Sequence, residues 1–461
     1  MDPVAAVERL SPATSHSAMP AAIVVGGGLA GLAAAAALGS AGFRVDLYES
    51  RGFLGGRATS YPVPLESERD LPETIDNCQH ILLRCCVNLL DFYKRLGVLD
   101  RIQFHRQFFF VEPGGRTSTL TAGRLPKPFH FTESFWHLTF LDLADKLAVG
   151  RALLAIQRER KTRDDLDRIS MLDWLREKKQ TPRAIARFWN QVLVSAINED
   201  LDRMAASHGF QVFWLGFLAR SNTYEMGIPS IPLGDLYGAE RWTGIGNVQL
   251  HLRAAVDRVA VENGSVRGVK IGDETRAADY YVLAVPFERV PALAPELQLD
   301  FSEFSHSPIT GIHLWFDRAI TQLPHATLLD RTIQWLFNKD RGRYVQLVVS
   351  ASRSLTKMPR QEVIDLALRE LADYFPLVKN ARLEKAHVVK EVRATFSARP
   401  GLERLRPSTT TRFANLALAG DWTRSGWPAT MEGAVRSGYL AAEAVTTSAE
   451  CARRFLIPDI A

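Results

Sequence analysis

Cysteine is scarce in this sequence: the 461 residues include four, at Cys78, Cys85, Cys86 and Cys451. None belongs to a CxxC pair, and none has the spacing to histidine that zinc sites require. The sequence therefore predicts neither a disulfide framework nor a metal site, and it fits a protein of a reducing cytoplasm.

Long apolar runs are lacking as well. The longest, residues 29–38, is rich in alanine, contains Gly31, and falls far short of the roughly 20 residues that span a bilayer. Residues 1–20 have neither the basic start nor the apolar stretch of a signal peptide, so we expect a flexible tail there. We expect no membrane-spanning segment and a cytoplasmic location.

A dominant charge of one sign is also missing, since 56 Lys and Arg stand against 51 Asp and Glu. The cations are scattered along the chain, so we expect no nucleic-acid partner. The GxSxG, HExxH and P-loop motifs of hydrolases and nucleotide-triphosphatases do not occur. These absences leave an ordinary globular chain that is long enough for two or three domains.

The strongest local pattern present covers residues 21–49. A short apolar run is followed by the GxGxxG of Gly26, Gly28 and Gly31, an alanine-rich helical pattern, and a second apolar run that ends at Glu49. In such a βαβ unit the glycines allow a tight turn, a close approach to a pyrophosphate, and close packing of helix on strand. Glu49 stands where a carboxylate meets ribose hydroxyls, so the pattern predicts a dinucleotide such as NAD or FAD.

The next stretch, ESRGFLGGRATS, contains Glu49, Arg51, Gly55, Gly56 and Arg57. This ExRxxxGGR pattern resembles the one that follows the second strand in flavoproteins of the amine oxidase and phytoene desaturase type. The resemblance implies FAD rather than NAD. The glycine pair would pass close beneath the flavin and its ribityl chain, and Arg57 would counter phosphate charge.

A second ligand loop is predicted late in the chain, at residues 418–438. Gly420 and Asp421 end an apolar strand, and a helix begins near Thr430, Met431 and Gly433. We expect Asp421 to bind a ribityl hydroxyl or to support the pyrophosphate loop. We also expect the start of the helix to turn its positive end toward the flavin, with Gly433 allowing a close approach.

Between these two regions the patterns are weaker. Apolar residues at helical spacing predict an amphipathic helix over 76–97, with Asp76 and Gln79 as its capping box. Aromatic residues cluster over 103–140, and helical patterns follow over 140–222. Four aromatic side chains of that region share one helix face, at Phe210, Phe213, Trp214 and Phe217. A helical domain core and the wall of a cavity for a long apolar substrate are both open interpretations.

Across nearly its whole length the chain resembles the FAD-dependent amine oxidase and phytoene desaturase superfamily, and within it the family of hydroxysqualene dehydroxylases of bacterial hopanoid pathways. IDNCQHILLRCC resembles that family's DNGQH segment, with Cys78 in place of its glycine. LPKPFHF resembles its LPxPxH stretch. GDWTRSGWPATMEGAVRSG resembles its GDW, PAT and EGAVRSG ending, which is the longest of the three motifs.

The resemblance implies an α/β fold, in which a Rossmann-type FAD-binding domain carries an inserted α+β substrate domain. The backbone near Val259, in an expected β-meander, would contact the cofactor. We expect the FAD-binding domain at 21–100, 244–292 and 406–447, the substrate domain at 101–243, mostly helical, and 293–405, and a C-terminal tail at 448–461.

The resemblance also implies a reaction. That family reduces an allylic C30 alcohol, hydroxysqualene, to squalene, so the leaving hydroxyl needs a proton. Asp76, His80 and His208 are the candidate donors. Two alternatives stay open: oxidative desaturation of a carotenoid precursor, and a lipid escort protein without catalysis, against which the intact flavin motifs speak.

An apolar isoprenoid substrate lives in lipid, so we expect a peripheral contact with the inner face of the cytoplasmic membrane. Apolar and basic residues over 104–140 would form this contact. Enzymes of the squalene pathway are the expected protein partners.

Overall fold

The computed structural model describes residues 19–63 and 73–460. The predicted tail, 1–20, therefore lies outside the described residues except for its last two. The α-helices are α1 Leu29–Ser40, α2 Val87–Arg95, α3 Thr132–Trp136, α4 Leu143–Glu159, α5 Met171–Glu177, α6 Pro182–Ala184, α7 Asn190–Ile197, α8 Ala206–Gln211, α9 Leu233–Leu236, α10 Val290–Leu293, α11 Arg360–Tyr374 and α12 Met431–Ser448. The strands are β1 Ala21–Val25, β2 Arg44–Glu49, β3 Ser60–Pro62, β4 Thr74–Asp76, β5 Leu82–Leu83, β6 Ile102–His105, β7 Gln107–Val111, β8 Thr117–Thr121, β9 Met226–Pro229, β10 Val248–Leu252, β11 Arg258–Glu262, β12 Ser265–Ile271, β13 Glu274–Arg276, β14 Tyr280–Leu283, β15 His306–Phe316, β16 His325–Leu328, β17 Trp335–Asp340, β18 Tyr344–Ser350, β19 Leu383–Phe396 and β20 Leu416–Leu418.

A parallel sheet of order β10-β2-β1-β14-β20 forms the first layer, and its strands come from three separate stretches of chain. Because side chains alternate along a strand, β1 serves two cores. Ala22 and Val24 pack with α1 and α12, whereas Ile23 and Val25 pack toward the small antiparallel sheet β11-β12-β13. The apolar run of the first strand is thus buried on both faces, as is usual in parallel sheets.

Small residues let α1 and α12 approach closely. A Cβ on Gly438 would lie 2.2 Å from the carbonyl oxygen of Ala30, so only glycine fits at that crossing. The alanine-rich sequence of α1 is therefore explained by contact with both the sheet and α12.

A second, largely antiparallel sheet has the order β19-β15-β18-β17-β16-β7-β8. Only β16 and β7, among its described pairings, run parallel. One face packs against α11 through residues such as Ile312, Leu347 and Leu371. The other face carries Phe108, Phe110 and Trp335, which line the central cavity.

The helical pattern over 140–222 is confirmed by α4 to α8. Two π-helical segments, Ile185–Trp189 and Val212–Leu218, continue α6 and α8. Such segments are rare and often occur near functional sites. The second of them supplies Val212, Leu215 and Phe217 to the cavity wall.

The predicted helix over 76–97 is wrong in its first half. Thr74–Asp76 pairs with Ser60–Pro62, and Leu82–Leu83 pairs with Met226–Pro229, so the helix begins only at Val87. The backbone N–H and C=O groups of this stretch pair with strands elsewhere in the chain. Local hydrophobic periodicity does not reveal such pairing. Asp76 does not cap α2; it accepts from the N–H of Leu233, the first residue of α9, whereas the Glu432 carboxylate accepts hydrogen bonds from the Asn88 and Leu89 backbone at the start of α2.

Within the described ranges, no helix is both long and apolar enough to cross a bilayer. The same residues contain no cluster of three or more His, Cys, Asp or Glu side chains that could hold a metal ion.

Candidate cofactor and substrate site

The glycine-rich turn forms one end of a cavity of about 710 Å³. Gly26 has φ +108°, and a Cβ there would lie 2.5 Å from the Ala284 carbonyl oxygen. A Cβ on Gly31 would lie 1.9 Å from the Gly26 carbonyl oxygen, so Gly31 allows α1 to pack on the turn, as predicted. Gly28 lines the cavity, and nothing lies within 4 Å of its Cβ position except Gly56 Cα at 4.0 Å.

The N-terminus of α1 opens into this end of the cavity. Gly28 is its N-cap and has no side chain to accept the first N–H groups, while Leu29 and Ala30 line the cavity. Free N–H groups together with the helix dipole favour an anion such as a pyrophosphate. The backbone is thus arranged as the GxGxxG pattern predicts.

Glu49 is held rigidly at the end of β2. It is buried, and its two carboxylate oxygens accept hydrogen bonds from the Gly27 N–H and the Arg51 N–H, each at 2.7 Å. Glu49 and Arg51 both line the cavity. A fixed carboxylate beside the glycine turn is suited to accept hydrogen bonds from ribose hydroxyls.

Arg57 and Asp421 join the two ligand loops. Arg57 Nη2 donates to Asp421 Oδ1 at 2.6 Å, and Nη1 donates to the Ala394 carbonyl oxygen at 3.0 Å. Burial lowers the pKa of Arg57, but the Asp421 carboxylate, together with the charges of Glu288 and Glu391, more than offsets this, and the pKa lies above its ordinary value. Both residues line the cavity, and 36% of the Arg57 side chain is exposed. This cation is therefore placed to meet a phosphate or another anionic group.

The late loop closes the same end of the cavity. Gly420 adopts φ +153°, and its N–H donates to Ser437 Oγ at 2.8 Å. Thr430 is the N-cap of α12, with its Oγ1 accepting from the Gly433 N–H at 3.1 Å, and Thr430 and Met431 line the cavity. The predicted helix start is thus confirmed, and it faces the cavity.

The remaining wall is mainly apolar. Phe108 and Phe110 come from β7, Trp335 from β17, and Phe217 from the second π-helical segment. Phe210 and Phe213 lie in the protein core, and Arg160 stacks on Trp214 with its guanidinium carbon 3.6 Å from the ring centre. The interpretation as a helical core therefore holds for Phe210 and Phe213, and the interpretation as a cavity wall holds for Phe217.

Four residues predicted to contact the cofactor lie outside the cavity wall: Gly31, Gly56, Val259 and Gly433. Val259 pairs with Val269 inside the small antiparallel sheet, and Ala255 and Val256 just before that strand line the cavity instead. A Cβ on Gly433 would lie 2.4 Å from the Pro428 carbonyl oxygen, so this glycine serves the fold of its own loop.

Of the three candidate proton donors, only His80 lines the cavity. Its Nδ1 lies 2.9 Å from the Cys78 carbonyl oxygen, and burial lowers its pKa. Asp76 is buried away from the cavity, where it accepts hydrogen bonds from Ser60 Oγ at 2.7 Å and the Leu233 N–H at 2.9 Å. The prediction of Asp76 as a donor to substrate is therefore not supported by its position.

His208 also lies off the cavity wall. Burial, aided by the positive charge of Arg406, lowers its pKa to about 4. A buried, neutral imidazole at this place cannot reach a substrate in the cavity. His208 precedes a glycine in the predicted helical region, but that position does not predict the direction of its side chain.

Sequence reasoning missed Glu391 on the cavity wall. Glu391 belongs to β19, in a stretch without a recognisable motif, and its cross-strand neighbour is Ile309, which also lines the cavity. An acidic residue inside an amphipathic strand gives no local signal of function. Only the pairing of β15 with β19 brings it to the site.

The residues present fit FAD. The uncapped helix N-terminus, the open position above Gly28 and the fixed Glu49 carboxylate match a pyrophosphate and a ribose, and Arg57 provides a counter-charge.

Comparison with known proteins agrees with this site. A family model described as flavin containing amine oxidoreductase matches residues 29–446. A probable zeta-carotene desaturase of Synechococcus elongatus is 28% identical over 484 aligned residues, covering 92% of this chain and 98% of the relative. A 15-cis-phytoene desaturase of the same organism is 26% identical, covering 92% and 95%.

Solved structures show the same architecture. An oxidoreductase from Methanosarcina mazei aligns with a TM-score of 0.68 and 18% identity, covering 91% of this chain and 98% of the other. Cyclohexylamine oxidase from Brevibacterium oxydans aligns with a TM-score of 0.67 and 16% identity, covering 94% and 100%. At these identities the likeness shows the fold alone, and it confirms the predicted fold class.

Proposed function

The chain belongs to the flavin-containing amine oxidoreductase family, and from that premise we propose that it exchanges a hydride with a long apolar isoprenoid. It is an FAD-dependent oxidoreductase, as the ExRxxxGGR pattern predicts. FAD, when bound, supplies two-electron chemistry by taking up or giving a hydride.

One observation carries the proposal: the cofactor end and the apolar wall belong to a single cavity. Gly28, Glu49 and Asp421 line one part of it, and Phe108 and Trp335 line another. An apolar chain packed against these aromatic side chains would need few polar contacts, because burial of its surface alone favours binding. The cavity therefore suits a hydrocarbon better than a small polar amine.

Oxidative desaturation is the reaction favoured by the relatives. The two relatives from Synechococcus elongatus are named as carotenoid desaturases, and the alignment with each covers more than nine tenths of this chain. In such a reaction the protein has to hold two neighbouring carbons of the isoprenoid substrate beside the cofactor and to remove a proton from one of them.

Reductive dehydroxylation of hydroxysqualene to squalene is the second candidate, and residues of the late loop favour it. The segment GDWTRSGWPATMEGAVRSG resembles the ending of hydroxysqualene dehydroxylases, and Trp422, Trp427, Pro428 and Ala429 of this segment line the cavity. The motif that marks that family thus contributes side chains to the wall of the cavity.

Anaerobic incubation of the FAD-loaded protein separates the two reactions. Chemically reduced protein is mixed with hydroxysqualene, and oxidised protein with phytoene or zeta-carotene, while flavin absorbance and the extracted products are followed. Squalene from the first mixture supports dehydroxylation, and a product with additional double bonds from the second supports desaturation. Absence of both products would overturn the proposed function.

The substrate class also motivates a membrane contact, and we place it on what we call the 125–154 surface. Its large apolar side chains are between 41% and 62% exposed: Leu125, Phe129, Trp136, Leu143, Leu147 and Leu154. Lys146 donates to the Trp136 carbonyl oxygen at 2.6 Å, so a cation stands among them. Exposed apolar side chains with a nearby lysine fit an anionic lipid surface.

Vesicle flotation tests this contact. We expect wild-type protein to float with vesicles that contain anionic lipid, and the Leu143→Ser/Leu147→Ser variant to float several-fold less. Leu377→Ser/Leu405→Ser, which changes two leucines exposed elsewhere, is the control and should float like the wild type. Equal flotation of all three proteins, or none, would contradict the assignment. Contact with squalene-pathway enzymes stays a prediction.

A further inference from the structure

Glu391 reaches the cavity because β19 is irregular at this point. Across the pairing with β15, Glu391 lies opposite Ile309 and Thr395 opposite Ser307. Three residues of β19 therefore stand against the single residue Pro308. Such a bulge re-aims the side chains on either side of it and is frequent next to active sites. Here Glu391, Ala394 and Thr395 all line the cavity.

The bulge also ties Glu391 to the cofactor end. The Ala394 carbonyl oxygen, three residues along, accepts a hydrogen bond from Arg57, which in turn binds Asp421. Glu391 is close to Cys78 as well: burial first, and the charges of Asp76 and Glu391 in addition, raise the pKa of that thiol to about 12. Glu391 thus lies on the cavity wall near Arg57 and Cys78, on both of which its charge acts.

Four acidic side chains line the cavity among the residues that the structure describes: Glu49, Glu391, Asp421 and Glu432. Three of these carboxylates already bind other groups of the protein. Glu49 accepts from two backbone N–H groups, Asp421 is paired with Arg57, and Glu432 accepts from Asn88 and Leu89.

Glu391 differs from these three. Its carboxylate makes no hydrogen bond or ion pair with any described residue. Arg57, whose pKa the charge of Glu391 helps to raise, donates its hydrogen bonds to Asp421 and to the Ala394 carbonyl oxygen instead. A half-buried carboxyl to which no described residue is bound, on the wall of a reaction cavity, is free to exchange a proton with substrate.

We propose that Glu391 is the group that exchanges the proton of the reaction with the isoprenoid. The inference rests on the proposed function but holds for both of its reactions, since each moves one hydride and one proton.

The steps balance in either direction. In desaturation one carbon loses a hydride to the oxidised cofactor, which is thereby reduced. The neighbouring carbon loses a proton to the Glu391 carboxylate, and the electron pair of that C–H bond becomes the second bond between the two carbons. In dehydroxylation the allylic carbon gains a hydride from the reduced cofactor, the C–O bond breaks, and the leaving hydroxide takes the proton of the Glu391 carboxylic acid to form water.

The test compares Glu391→Gln with wild type in the FAD-loaded protein. The matched control is Glu384→Gln on the same strand, whose carboxylate is exposed and pairs with Arg382 at 3.2 Å. We expect Glu391→Gln to keep the wild-type ratio of FAD to protein and the wild-type KM, and to lose at least about 100-fold in kcat. Glu391→Asp should recover part of kcat.

A binding measurement provides a readout apart from turnover. Loss of a hydride or of hydroxide leaves the reacting carbon electron-poor, so a C30 isoprenoid amine, protonated at neutral pH, serves as a positively charged probe of this part of the cavity. We expect its Kd to be at least about tenfold weaker in Glu391→Gln because the attraction of the carboxylate is lost. Squalene, which has no charge, should bind wild type and variant equally.

Three outcomes would overturn the inference, and they are distinguishable. Wild-type turnover together with unchanged kcat in Glu391→Gln would remove Glu391 and leave the proposed function standing. Failure of the wild type on every isoprenoid would remove the proposed function and the inference with it. Equal affinity of both proteins for the amine would also count against Glu391.

Discussion

The Arg57–Asp421 ion pair connects residues that are 364 positions apart in the chain. Asp421 is 7% exposed, and its backbone carbonyl is bound by the buried guanidinium of Arg406 at 2.9 Å. The carboxylate is therefore held in place, and it orients an arginine that lines the cofactor end of the cavity.

Asp421→Asn tests this role at the scale of one residue. The change keeps the size of the side chain but removes its charge, so Arg57 loses its partner and its orientation. We expect the Kd for FAD to rise at least about tenfold, measured by fluorescence titration of protein stripped of FAD. Asp317→Asn, at an exposed pair with Arg318, is the control. Unchanged FAD affinity in Asp421→Asn would refute the role.

At the scale of elements, Glu432 fastens α2 to α12. It lies in the first turn of α12, is 1% exposed, and accepts hydrogen bonds from Asn88 Nδ2 at 2.8 Å and the Leu89 N–H at 2.7 Å. Burial raises its pKa to about 7, although the Leu89 and Asn88 donors act in the opposite direction.

This pKa predicts a pH-dependent stability. The folded protein holds the proton of Glu432 more tightly than the unfolded chain, so its contribution is fully present below about pH 4.5 and is lost as the pH rises through about 7. The loss is of the order of 3 kcal/mol, at about 1.4 kcal/mol per pKa unit. Between pH 5 and pH 8 the thermal midpoint of the FAD-loaded wild type should fall by a few degrees more than that of Glu432→Gln.

The control for this measurement is Glu450→Gln, an exposed glutamate just beyond the end of α12. It should show the same pH dependence as the wild type. If Glu432→Gln also follows the wild-type curve from pH 5 to pH 8, the raised pKa is not a feature of the folded protein.

Elements encoded by neighbouring residues could be predicted, and those made by distant pairing could not. The β1–α1–β2 unit follows from residues 21–49 because its glycines, helix and carboxylate all act within that stretch. The predicted helix over 76–97 wrongly includes Asp76 of one strand and all of the strand Leu82–Leu83, since the partners of these strands lie elsewhere in the chain. For the same reason the sequence does not predict Glu391 as a site residue. The predicted cofactor contact at Val259 lies three residues beyond Val256, which lines the cavity.

At the scale of the whole molecule, the cofactor site is assembled from separate parts of the chain. The β1–α1 turn, the loop after β2, and the β20–α12 segment each contribute to the wall, and the bulge of β19 adds the Ala394 carbonyl oxygen. A cofactor that bridges these parts binds only the folded form, so it stabilises that form by mass action.

Removal of FAD should therefore lower the thermal midpoint of the whole protein. At FAD concentrations about 1,000-fold above Kd, the lost contribution is about 4 kcal/mol. Calorimetry of loaded, stripped and reloaded protein measures it, and addition of NAD in place of FAD is the control that should restore nothing. Equal midpoints of loaded and stripped protein would contradict a bridging cofactor.

The distance along the chain between Arg57 and Asp421 also bears on biosynthesis. A ribosome that adds about 5 to 20 residues per second needs about 20 to 70 seconds to pass from one to the other. During that interval the nascent chain already holds the glycine-rich turn and Arg57, but not the carboxylate that orients this arginine. Flavin capture that depends on this ion pair is therefore a late event in the making of each molecule.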